Sequence, residues 1–118
     1  MGVFTVRIDV GDPTGQRFER LDALVDTGST NTVIPEEILR SLGVAPHTRS
    51  SFELADGSET ELDVGRTWVR LNGQAEFTQV VFGEQSYDPI LGAITLEEMG
   101  LVVDPIAQRL TPRAKYLK

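Results

Sequence analysis

Hydrophobic and polar residues alternate from the start of the chain, with Phe4, Val6, Ile8 and Val10 separated by Thr5, Arg7 and Asp9. A period of two puts each set on its own face of an extended segment, so a half-buried strand is predicted there. Gly11-Asp12-Pro13-Thr14-Gly15 has turn composition, and Phe18 to Val25 reads as a second strand, giving a hairpin. Thr32-Val33-Ile34 is a short β-branched run. Pro35 then suits the first helical position, and Glu36 and Glu37 suit the positive end of a helix dipole. Ile38, Leu39 and Leu42 form an apolar stripe, and Gly43 is a natural stop.

Two more hairpins are predicted. Ser51 to Leu54 and Thr60 to Val64 flank Ala55-Asp56-Gly57-Ser58, while Thr67 to Leu71 and Ala75 to Phe82 flank Asn72-Gly73. Asp-Gly and Asn-Gly tolerate the positive φ angles that tight hairpin turns require. Pro89 to Gly92 is a short buried strand ending on glycine, Ile94 to Met99 a helix stopped by Gly100, and Leu101 to Asp104 and Ala107 to Thr111 closing strands. The chain reads as mostly β with one or two short helices. A pattern of strand, glycine, helix, glycine and strand occurs twice, once from Leu24-Val25 to Gly43-Val44 and once from Ile90-Leu91 to Gly100-Leu101. Only the first copy carries a carboxylate, Asp26, in its glycine loop.

Composition narrows the classes. A chain of 118 residues, 40% of them apolar, fits one domain over 1–118 with a small core. No apolar run reaches the length of a membrane span. Met1 to Arg7 lacks the basic and apolar regions of a signal peptide, and Val6 stands where a myristoylation motif wants Ser or Thr after Gly2. These features lead to the expectation of a cytoplasmic protein. Without cysteine there is no disulfide framework, cysteine nucleophile or thiolate metal site. The single histidine, His47, reads as a surface residue, and no spacing of His, Asp and Glu suggests a metal. A formal net charge of −7 disfavours nucleic acid and anionic membranes as partners.

The chemistry therefore rests on Ala23-Leu24-Val25-Asp26-Thr27-Gly28-Ser29-Thr30. An apolar strand that ends on a carboxylate costs solvation, so the group must be paired, hydrogen-bonded or neutral. As an ordinary loop, Asp26 would cap a turn. As a phosphate loop it would need two large α/β domains, which 118 residues cannot supply. The other acids have simpler readings. Asp56 supports a turn, Glu36-Glu37 and Glu97-Glu98 are helix-dipole or solvent-facing charges, and Asp88 and Asp104 precede prolines in turns.

The third reading comes from resemblance. Apolar-apolar-Asp-Thr-Gly-Ser, followed by Ala55-Asp56-Gly57 and by Ile90-Leu91-Gly92, resembles the single-domain retropepsin-like aspartic proteases over residues 3–112. The resemblance implies a closed β-barrel-like acid-protease fold, homodimeric, with Asp26 catalytic and Thr27, Gly28 and Ser29 supporting its loop. Thr27 would reach across the two-fold axis, the Gly28 N–H would approach the carboxylate, and the Ser29 hydroxyl would bond the outer oxygen of Asp26. Ala55, Asp56 and Gly57 would form a flap, and Ile90, Leu91 and Gly92 a strand crossing beneath the catalytic loop. Ser29 departs from viral members, which more often carry alanine there. The implied activity is peptide-bond hydrolysis without cofactor or metal, on an extended peptide or unfolded protein. The alternative is a non-catalytic dimerisation or peptide-binding module of the same fold.

Overall fold

The computed structural model describes residues 4–84, 87–115 and 117; Gly2, considered above for lipidation, lies outside them. Strands β1 (Phe4–Gly11) and β2 (Phe18–Val25) pair antiparallel, from Phe4 opposite Val25 to Gly11 opposite Phe18. Their turn is tied by Asp12, whose carboxylate accepts from the Thr14 hydroxyl and from the N–H groups of Gln16 and Arg17. That donor set, the Thr14 hydroxyl first, holds the Asp12 carboxyl down at about 2. Next come β3 (Thr32–Pro35), α1 (Glu36–Ser41), β4 (Thr48–Glu53), β5 (Glu59–Leu71) and β6 (Gln74–Gly83). The chain closes with β7 (Ile90–Leu91), α2 (Ala93–Met99), β8 (Leu101–Asp104) and β9 (Arg109–Pro112).

The main sheet runs β1-β2-β7-β3-β6-β5-β4, and β1 also pairs β5 through Asp9 opposite Arg70 and Val10 opposite Val69. The strands from β1 round to β5 thus return on themselves, leaving β4 outside the ring. Alternate residues point inward. Ile8, Val10, Val25, Ile34, Leu39, Val69, Val80, Phe82 and Leu91 are each 2% exposed or less. Each such side chain contributes about 1.5–3 kcal/mol by leaving water. β8 and β9 form a separate two-stranded sheet, whose Leu101, Val103 and Leu110 pack against the same core.

Four elements differ from their sequence pattern, one of them β4, which was expected over Ser51 to Leu54 and runs from Thr48 to Glu53. The segments Thr60–Val64 and Thr67–Leu71 are one strand, because Gly65 and Arg66 stay in the ladder opposite Val80 and Gln79. Gly65 marks a close approach, not a break: a Cβ there would lie 3.1 Å from the Ala45 carbonyl oxygen and from the Phe82 ring. Pro35 has ψ 132 and pairs with Gly83, so it ends β3 and the helix starts at Glu36. β9 starts at Arg109, later than the pattern suggested. Asp104 accepts from the N–H groups of Ile106 and Ala107, and Gln108 takes φ 53, so residues 105–108 are spent on the turn. The Asn72-Gly73 turn has φ 51 and 82, as a two-residue hairpin loop needs.

Charge is organised on the outside. Asp9 lies 2.9 Å from Arg20 and 3.1 Å from Arg70, and the Arg20 hydrogen bond is the main cause that lowers its pKa. Asp63 sits between Arg40 and Arg49, 2.9 Å from each, and is lowered by them in that order. Among the described residues no helix is long and apolar enough to cross a membrane.

Candidate active site

β2 runs inward through Ala23 and Val25, both 1% exposed, and the chain turns outward at Asp26. Asp26 is half-buried, while Thr27 and Gly28 are exposed. The Gly28 N–H donates to Asp26 Oδ1 at 2.9 Å, and the Ser29 N–H donates to the Asp26 carbonyl oxygen at 3.0 Å. A backbone donor two residues on therefore holds one carboxylate oxygen, without side-chain entropy to freeze.

The loop rests on the second glycine element. β7 pairs parallel with β2, Leu24 opposite Ile90 and Val25 opposite Leu91, and antiparallel with β3 through Val33 opposite Ile90. It thus lies between the strand that enters the loop and the strand that leaves it. The Asp26 N–H donates to the Leu91 carbonyl oxygen at 3.3 Å. The first N–H groups of α2, from Ala93 and Ile94, donate to the carbonyl oxygens of Ser29 (2.8 Å) and Thr30 (3.1 Å). Those N–H groups have no partner inside the helix, so the loop satisfies them. Gly92 is where the two backbones meet: a Cβ there would stand 2.4 Å from the Asn31 carbonyl carbon and oxygen.

Over the loop stands the β4–β5 hairpin. Its tip, Leu54–Ser58, is closed by backbone bonds from Leu54 to Ser58 and from Gly57 to Leu54, with Gly57 at φ +86. Asp56 turns its carboxylate into the tip, accepting from the Ser58 hydroxyl and N–H, which lower its pKa in that order. At the base of the tip Glu53 faces Glu59 directly across the pair. Neither has a cationic partner among the described residues, and like charges so placed weaken the pairing. Between hairpin and loop lies a groove of about 730 Å³. Its walls include Phe52, Leu54, Ala55, Val33 and Val81, and its floor runs from Gly28 to Asn31.

Several side chains behave differently from the expectations. The Ser29 hydroxyl donates to the Asn31 carbonyl oxygen at 3.1 Å, so in this chain it is not spent on Asp26. The Thr27 hydroxyl has no hydrogen-bond partner among the described residues. Asp88 is exposed and lines the groove, although its position before proline suggested only a turn. Glu98, expected to face solvent, accepts a hydrogen bond from buried Thr78. The sequence reading missed Thr32, Thr78 and Thr95, which are fully buried beneath the loop, and the bond from Gln79 to Asn31 Oδ1 at 3.0 Å. Threonine in a strand or short helix carries no periodic signal of such a role.

Comparison with known proteins agrees with this geometry. A family described as Aspartyl protease matches residues 5–95. The protease of simian foamy virus (mac), solved in solution, is 21% identical with a TM-score of 0.56, covering 79% of this chain and 91% of that one. A retropepsin-like aspartic protease from Rickettsia conorii is 17% identical with a TM-score of 0.52, covering 87% of this chain and 88% of the other. The fold is therefore retropepsin-like. A search of curated proteins finds no match.

Proposed function

The chain belongs to the aspartyl protease family, which matches it over residues 5–95, and on that premise we propose that it is an aspartic endopeptidase working as a homodimer. One observation carries the reading. The carboxylate of the sole Asp-Thr-Gly is held by the Gly28 N–H, and residues Gly28 to Asn31 of the same loop form the floor of a mainly apolar groove of about 730 Å³.

Hydrolysis of a peptide bond needs a base for the attacking water and an acid for the carbonyl oxygen. One carboxyl group cannot be both at once. Two held about 3 Å apart share a single proton, since like charges that close do not both ionise. A second Asp26 from another copy supplies the missing half, related by a two-fold axis. In the dyad the unprotonated carboxylate takes a proton from water while the protonated one donates to the carbonyl oxygen. Water adds to the carbonyl carbon, and collapse of the tetrahedral species expels the amine with one proton returned to it. The Thr27 hydroxyl, exposed and free of partners among the described residues, is available to the partner's loop across the axis. Ala55, Asp56 and Gly57 form the flap, loosened at its base by Glu53 against Glu59, and Ile90, Leu91 and Gly92 support the loop from below. An extended peptide in the groove would be held by strand-type backbone bonds.

The test is cleavage of an unfolded protein across a range of pH, with sedimentation velocity over the same concentrations. Specific activity should fall on dilution as monomers form, and the rate should follow a bell in pH whose two limbs belong to the pair. Added salt should favour association, because it screens repulsion between two chains each of formal charge −7. No cleavage at any pH by a well-folded dimer would leave a peptide-binding or dimerisation module. Full activity of a monomer at every dilution would defeat the paired-aspartate mechanism.

A further inference from the structure

Three threonines from three separate elements meet beneath the Asp26 loop. Thr32 on β3 is 1% exposed, Thr78 on β6 is 0% and Thr95 on α2 is 0%. Thr32 Oγ1 and Thr95 Oγ1 are 2.6 Å apart, Thr95 Oγ1 and Thr78 Oγ1 are 2.9 Å apart, and Thr78 Oγ1 donates to Glu98 Oε1. At the other end, the Gly92 N–H donates to Thr32 Oγ1 at 3.0 Å.

The direction of this chain follows from counting protons. A hydroxyl has one proton to give, and a carboxylate only accepts. Thr78 gives its proton to Glu98, so toward Thr95 it can only accept. Thr95 must then donate to Thr78 and accept from Thr32. Thr32, having given its proton to Thr95, accepts the N–H of Gly92. Every bond points from Gly92 toward Glu98, and bonds aligned head to tail polarise one another in a buried setting. The inner end is the glycine whose backbone meets Asn31, followed by the two residues whose N–H groups hold the Ser29 and Thr30 carbonyl oxygens. The outer end is one turn further along α2, so the chain fastens that short helix to β3 and β6 at once.

We propose that Thr32, Thr95 and Thr78 are positioning residues for the Asp26 loop, acting as a one-directional relay whose sense is set by the Glu98 carboxylate. None of them touches substrate. Thr95 is the hub, since removing its hydroxyl strands a donor on Thr32 and takes away the donor to Thr78. The consequence is a small displacement of Gly92, Ala93 and Ile94 and of the loop carried on them. In the proposed peptidase such a shift moves Asp26 against its mate and lowers kcat with little change in KM.

The kinetic part of this inference rests on the proposed function, so the experiment has a second readout that does not. Thr95→Val, Thr95→Ser and, as a matched control, Thr67→Val are compared with wild type. Thr67 is equally buried and faces Thr78 across β5 and β6, but its hydroxyl bonds the Gly11 carbonyl oxygen and is not part of the relay, so it tests packing beside the relay without breaking it. Thr95→Val should lower kcat about tenfold to a hundredfold, as misplacement of a reacting group does. Thr95→Ser should restore most of the loss. Thr67→Val should lower the melting temperature while keeping kcat and the dimer. By NMR, amide exchange at Gly92, Ala93 and Ile94 should quicken in folded Thr95→Val and stay slow in Thr67→Val. Wild-type kcat in Thr95→Val, equal loss of kcat in both valine variants, or unchanged exchange at those amides would overturn the relay. If wild type cleaves nothing, the peptidase reading fails, and the exchange comparison alone decides the relay.

Discussion

The turn at Asp26-Thr27-Gly28 and the turn at Leu91-Gly92-Ala93 each leave a strand through a glycine, and they use it in opposite ways. Gly28 is exposed and contributes a donor, its N–H on Asp26 Oδ1. Gly92 is buried and contributes an absence, since a Cβ there would overlap the Asn31 backbone at 2.4 Å. The first turn stands out far enough to present a carboxylate because the second lies flat beneath it. A loop with an exposed tip is held to one geometry when its underside is spent on buried backbone bonds.

The sharpest way to break the comparison is to change the presented group alone. Asp26→Asn keeps the shape and an oxygen for the Gly28 N–H, but cannot serve as acid and base. Cleavage should fall by about 10²–10⁴-fold with the melting temperature unchanged. Retained cleavage would remove Asp26 from the chemistry.

Gly92→Ala attacks the support. The clash is with backbone, which cannot rotate away, so a loss of stability of about 1–3 kcal/mol is expected together with loss of activity. Thermal melts beside rates per folded molecule check both. Gly28→Ala is milder: its Cβ would lie 3.2 Å from Asp26 Oδ1, which can give way by a small shift. A fall in kcat of about tenfold at wild-type stability is expected. If the two alanine variants lose stability equally, the contrast between donor and space is wrong.

The smallest effect is expected remote from both turns. The pKa of Asp9 is lowered in the folded state, first by its Arg20 hydrogen bond. That stability is present above the usual 3.8 and is lost as pH falls through the lower folded value. Asp9→Asn should cost about 1 kcal/mol or less at neutral pH, because Arg20 is largely solvated and Arg70, 37% exposed, keeps its place over the Phe18 ring without Asp9. It should flatten the pH dependence of the melting temperature below the usual carboxylate range and leave cleavage per folded molecule alone. A change in kcat would show that the outer charges reach the site.

Much of this was legible in the residues. The alternation over 4–10 marked β1, because a strand's side chains obey a period of two whatever they pack against, and the run from Phe18 to Val25 after a turn marked β2. Asn72-Gly73 and Asp56-Gly57 marked hairpin tips, because only such residues accept positive φ cheaply. The unity of β5 was not legible. Gly65 reads as a break until β4 is seen along one part of the strand and β1 along another.

The sequence by itself determined where the backbone turns, which strand delivers Asp26, and that only one Asp-Thr-Gly is present. Those are properties of neighbours along the chain, where φ preferences and side-chain period act locally. The tertiary structure alone decided which partners the buried polar groups found. Glu98 turned inward to Thr78, and Thr32 met Thr95 across a separation of 63 residues. A hydroxyl bonds nearly any acceptor within reach, so its partner is settled by whichever element folding brings close, and residue type alone does not name it.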